Sequence, residues 1–245
     1  MKKLRIIRNI LAIILIIEAT LFILFYLIVV IYSKESYKAI DIDSYTKCSD
    51  NVKVEYIDNF IYFSPKNDIN KNKGVIFYPG GLVDYMAYTE LLYNLALDGY
   101  YGALFKMPYN LAFFGKNNAN KILNNYNDIN WYIGGHSLGG VSAASYYSSN
   151  MNRLNGLFLL ASYSTHDIKD GNVLSIYGSN DKVLNMESYN KYKINLPTNT
   201  TFYEIDGGIH SYFGSYGIQK GDGTPTISKE EQIDITIKKL VLFMG

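Results

Sequence analysis

One ten-residue stretch restricts what this chain can fold into. Trp131 to Gly140 reads WYIGGHSLGG: a short apolar run, a turn flanked by Gly135 and Gly139 with Ser137 at its apex, then a small-residue helix opening Val141-Ser142-Ala143-Ala144. An apolar strand turning sharply into a helix around a serine is the context that a G-x-S-x-G nucleophile elbow requires. A serine at such an apex is held in a strained backbone conformation. Side chains two positions before and after it would clash with the turn, and glycine removes them. The strain points the hydroxyl out of the fold. The Leu138 N–H, at the helix N-terminus, is then placed to stabilise negative charge developing on a substrate oxygen.

The segments around this turn alternate between strand and helix patterns. Val52–Tyr56 and Phe60–Phe63 around Asp58-Asn59 read as a β-hairpin. Gly74–Tyr78, Tyr101–Met107, Trp131–Gly134, Asn155–Leu160, Val173–Tyr177 and Thr201–Ile205 read as strands. Helical spacing covers Tyr85–Leu97, closed by Gly99, and Asn185–Tyr192; Asn117–Tyr126 is a short helix or loop. Ser228 to Phe243 is a closing helix, with Ser228 and Glu231 as a capping box and Ile233, Ile237, Leu240 and Val241 as its apolar stripe. Apolar strands alternating with helices indicate an α/β fold, with a mostly parallel sheet covered on both faces. No insertion is long enough for a cap domain of any size.

Serine needs a base, and histidine is the usual one. The chain has three histidines. His136 sits inside the elbow beside Ser137 and points elsewhere; His166 follows a strand end in Tyr163–Asp167; His210 follows the last strand in a glycine-rich loop. Functional groups in an open parallel sheet gather at the carboxyl ends of the strands, which favours His210. Asp181 also lies just past a strand and is the leading orienting acid, with Asp206 and Asp167 as rivals. Ser137, Asp181 and His210 then follow the nucleophile–acid–histidine order. A second oxyanion donor is expected in Pro79-Gly80-Gly81-Leu82, from the amide of Gly81 or Leu82, to join that of Leu138.

The N-terminus sets a separate constraint. Lys2, Lys3, Arg5 and Arg8 precede a nearly unbroken apolar run from Ile10 to Tyr32, long enough for the roughly 20 residues that a hydrocarbon core demands. Glu18 interrupts it at a cost of about 3 kcal/mol, which the surrounding Leu, Ile and Phe residues outweigh. Ser33–Ser36 is a poor cleavage site, so an uncleaved anchor is expected in preference to a signal peptide. The basic residues before the run place the N-terminus in the cytoplasm and the remainder outside. The expected organisation is a basic segment at 1–9, a transmembrane anchor at 10–32, a juxtamembrane linker at 33–50 and one α/β domain at 51–245.

Four blocks carry a family resemblance: Tyr78–Val83, Met107–Ala112, Gly135–Gly140, and Gly207-Gly208-Ile209-His210 leading into Phe213–Gly223 with its Tyr-Gly-x-Gln-x-Gly-Asp-Gly tail. On these, from about Val52 onward, the chain resembles the α/β-hydrolases, and specifically the small anchored bacterial members related to dienelactone hydrolases. The resemblance implies an α/β-hydrolase fold, with Ser137 as nucleophile, Asp181 as acid and His210 as base. It implies no substrate. One departure is that Pro79-Gly80 stands where His-Gly is common in the oxyanion loop. The stretch from Gly214 to Thr226 either closes over the site or packs behind His210.

The balanced net charge of +1, without a basic stripe, excludes nucleic acid as a partner. Cys48 is the only cysteine, so neither an internal disulfide nor a cysteine metal site exists; no metal or cofactor is implied. The expected activity is cleavage of a carboxylic ester, thioester or lactone, with a small or lipid-like substrate. Two alternatives stand beside it: an acyltransferase using the same three residues, and a non-catalytic, membrane-tethered binding module on the same fold.

Overall fold

The computed structural model describes residues 2–67 and 72–245, and the chain divides into two units at Ser36/Tyr37. The first is one helix, α1 (Lys2–Lys34). Its segment Arg5–Lys34 is long and apolar enough to cross a membrane; the expected span of 10–32 lies inside it.

The second unit begins with the hairpin β1 (Val52–Ile57) and β2 (Phe60–Pro65). Then come β3 (Lys73–Tyr78), α2 (Thr89–Leu97), β4 (Tyr101–Phe105), α3 (Ala119–Asn125), β5 (Asn130–His136) and α4 (Leu138–Asn150). It finishes with β6 (Gly156–Leu160), β7 (Val173–Gly178), α5 (Met186–Tyr192), β8 (Thr201–Ile205) and α6 (Lys229–Met244). Most boundaries fall within a residue or two of those read from the sequence. Two do not. Tyr85–Tyr88 forms a separate tight turn before α2, because Asp84 caps it by accepting the Met86 N–H. The helix after the elbow starts at Leu138, so Leu138 is already helical.

The strands form one sheet in the order β1-β2-β4-β3-β5-β6-β7-β8; β2 runs against both its neighbours and every other pairing is parallel. Side chains alternate across a strand, and the core divides accordingly. Val75, Phe77, Phe158 and Leu160 pack with Leu91 and Leu95 of α2 and Ile237 and Leu240 of α6. Ile76, Tyr78, Leu157 and Leu159 pack with Ile122 of α3 and Ala143 and Tyr146 of α4. Covering on both faces is why the central strands read as unbroken apolar runs. β8 departs from that expectation, because it is an edge and Phe202 and Glu204 are exposed. Lysines shield it: Lys239 Nζ lies 3.8 Å from the Tyr203 ring and Lys193 Nζ 5.1 Å from that of Phe202.

The chain reverses its direction across the sheet between β3 and β5, which lie side by side. In open α/β sheets this switch leaves a crevice at the carboxyl ends of the strands. Leu82 after β3 and Ser137 after β5 flank it, both in the left-handed region at φ 57° and 52°. Residues 37–50, expected as a linker, pack on the second unit: Tyr37 bridges Val83, the Ile40 N–H donates to Ser215 O at 2.9 Å, and Tyr45 reaches Glu90.

Candidate active site

The elbow is built by two close approaches. A methyl group on Gly135 would stand 2.3 Å from Tyr78 O, and one on Gly139 2.1 Å from that same carbonyl, so only glycine lets the end of β3 pass between them. Ser137 holds φ 52° and ψ −124° between them and puts no side-chain cap on α4. Its main chain is tied to β6, with its N–H donating to Leu160 O at 2.9 Å and its carbonyl accepting Ser162 Oγ–H at 2.7 Å. The hydroxyl is left for chemistry while the backbone around it is locked.

Asp181 follows β7 and is buried. Its Oδ1 accepts the Val183 and Leu184 N–H groups at 2.9 and 2.8 Å, and its Oδ2 accepts Nδ1–H of His210 at 2.8 Å. One oxygen is thus anchored by backbone and the other orients the imidazole. With its proton held on Nδ1, the neutral His210 ring has Nε2 as its acceptor. His210 and Ser137 are walls of one cavity of about 230 Å³, together with Leu138, Val141, Tyr163 and Leu184. The rivals lie elsewhere: His166 is exposed beside Ser145, Asp167 is paired with Lys169 on the surface, and Asp206 is exposed.

Of the two candidate amides after β3, that of Leu82 donates to Asn110 O at 2.8 Å and is spent there. Gly81 lies against the elbow, where a methyl on it would stand 2.9 Å from the Leu138 side chain. Gly81 therefore remains the candidate beside Leu138, since the Leu82 N–H is already engaged by Asn110 O.

Two supports of the site were missed in the sequence. The first is Asp222, whose Oδ2 accepts the Ser211 N–H at 2.8 Å and the Ser211 hydroxyl at 2.5 Å. Its Oδ1 takes the N–H groups of His210 and Gly223 at 3.3 and 2.8 Å. The Gly-Asp-Gly tail thus packs behind His210 and brackets its loop. Gln232 of α6 adds a two-point clamp one residue earlier, accepting the Ile209 N–H at 2.9 Å and donating to the Ile209 carbonyl at 2.8 Å.

The second is His136. It is buried, its ring centroid 4.4 Å from that of His210, and its Nδ1 is 2.8 Å from the Tyr88 hydroxyl, which also accepts the Gly80 N–H at 3.0 Å. This chain of contacts joins the oxyanion loop to the elbow. A helical-spacing pattern gives no sign of it, because Tyr88 reads there as one more core aromatic.

Burial, reinforced by the neighbouring His210, holds His136 well below the usual histidine range. An unfolded histidine titrates near about 6.5. Below that pH the unfolded chain takes up a proton that native His136 refuses, so stability falls as pH falls. Between pH 7.0 and 5.5 the expected loss from this residue is at most about 1.3 kcal/mol. Urea midpoints of the full chain at the two pH values measure it, and His136→Gln should flatten the difference.

The comparisons with known proteins agree with this fold. Residues 74–234 match the model of the alpha/beta hydrolase family, and the chain belongs to that family. Among solved structures it is similar to the monoacylglycerol lipase of Paleococcus ferrophilus (12% identity, TM-score 0.59, covering 78% of this chain and 99% of that one). A soluble variant of the Saccharomyces cerevisiae monoglyceride lipase, in complex with a substrate analog, has 12% identity and a TM-score of 0.58, covering 82% and 98%. Carboxyl esterase 2 of Tuber melanosporum has 10% identity and a TM-score of 0.55, covering 86% and 92%. No curated protein matches significantly.

Proposed function

We propose that this chain is a serine hydrolase that cleaves a carboxylic ester through an acyl-enzyme on Ser137. The observation that carries the reading is the buried Asp181–His210 pair opening on the cavity that Ser137 also lines. His210 Nε2 takes the Ser137 proton as Oγ attacks the ester carbonyl. The Leu138 and Gly81 amides receive the oxyanion. The imidazolium, stabilised by Asp181, then protonates the departing alcohol. Water enters, gives a proton to His210 and attacks the acyl carbonyl; the imidazolium returns that proton to Ser137 Oγ as the acid leaves. The apolar cavity walls Leu138, Val141 and Leu184 suit an alkyl portion of the substrate, and the esterase and lipase names of the similar structures point the same way. A fluorophosphonate probe tests the reading: it should label the wild type and not Ser137→Ala, and an unlabelled wild type that is folded would refute it.

The anchor reading adds a topology, with the N-terminus cytoplasmic and the hydrolase unit outside. Cys48 reports on it directly, since it is exposed and the chain has no other cysteine. A membrane-impermeant maleimide added to intact cells should label the protein, and Cys48→Ser should abolish the label. Labelling only after lysis would reverse the orientation.

A further inference from the structure

A loop bonded to the oxyanion loop carries an apolar surface that the proposed chemistry does not use. The loop after β4 passes through Tyr109 and Asn110, both left-handed at φ 56° and 53°. It leaves Tyr109, Phe113 and Phe114 exposed at 37%, 63% and 40%. They form one cluster, with centroids 5.6 Å apart for Tyr109–Phe114 and 4.6 Å for Phe113–Phe114. Contiguous exposed aromatics are costly in water and mark a surface that meets an apolar partner.

This cluster is tied to the oxyanion loop, and so is Tyr37. Asn110 O accepts the Leu82 N–H at 2.8 Å. Across the same loop, the Tyr37 N–H donates to Leu82 O at 2.9 Å and Tyr37 O accepts the Asp84 N–H at 2.8 Å. Tyr37 lies three residues after Lys34, the last residue of α1, and three residues of chain reach at most about 11 Å. The Tyr37 hydroxyl also accepts the Lys220 N–H at 2.9 Å.

We infer that the surface formed by Tyr109, Phe113 and Phe114 docks on a lipid leaflet, and that the site takes an ester resident in that leaflet. The inference rests on the hydrolase reading and specifies its substrate class. Aromatic rings belong at the boundary between headgroups and acyl chains. An amphiphilic ester held in that leaflet would then reach Ser137 without crossing bulk water.

The test uses the full chain reconstituted in phosphatidylcholine vesicles, assayed on a water-soluble acetate ester and on a long-chain monoacylglycerol held in the bilayer. Phe113→Ser with Phe114→Ser should leave the soluble rate within about twofold and lower the bilayer rate at least tenfold. Separately, Phe113→Trp should have its new indole emission quenched by brominated phosphatidylcholine, a readout that needs no activity. Equal change of both rates, or no change with an unquenched indole, overturns the docking surface while wild-type turnover of the soluble ester keeps the hydrolase reading. A wild type that cleaves neither ester and takes no phosphonate label overturns both.

Discussion

Ser137→Ala is expected to lower kcat on a soluble ester by about 10⁴-fold or more. The fold should survive. The hydroxyl caps no helix end, and the links that hold the elbow run from the main chain of Ser137 to Leu160 and Ser162. The thermal midpoint should therefore stay within a few degrees of wild type, which separates lost chemistry from lost structure. Residual turnover above the buffer rate would measure what the Gly81 and Leu138 amides achieve without a nucleophile. Retention of more than a tenth of the wild-type kcat would show that another group attacks the ester.

Asp181→Asn should cost about 10⁴-fold in kcat for a different reason. Its Oδ1 already accepts two backbone N–H groups, from Val183 and Leu184. An asparagine oxygen keeps that position, which turns its NH₂ toward His210 Nδ1. The imidazole must then accept at Nδ1 and carry its proton on Nε2, the nitrogen that has to receive the proton of Ser137. Substrate binding should change little, because Asp181 lies behind His210; the defect should fall on kcat and leave KM within a few fold. A matching rise in KM with unchanged kcat would place Asp181 in substrate binding instead.

Sheet and elbow were legible in the sequence because they obey short-range rules. A strand buried on both faces must be apolar throughout, and a serine at φ 52° demands glycines on either side. Asp181 and His210 were readable as positions just past strand ends. Their partnership depends on β7 and β8 being neighbours, which is a property of sheet order. What escaped reading are contacts between distant segments made by ordinary residues. Tyr88 looks like any core tyrosine until its hydroxyl is found between Gly80 and His136. Leu82 looked as good a donor as Gly81, and only its hydrogen bond to Asn110 O separates them. Residues 37–50 carry too few apolar positions to announce that they pack on the hydrolase unit.

The two-point grip of Gln232 on Ile209 makes completion of the catalytic machinery a matter of chain order. Every other group the site uses precedes α6. On the proposed reading, the loop that carries His210 therefore gains its last brace only when α6 packs.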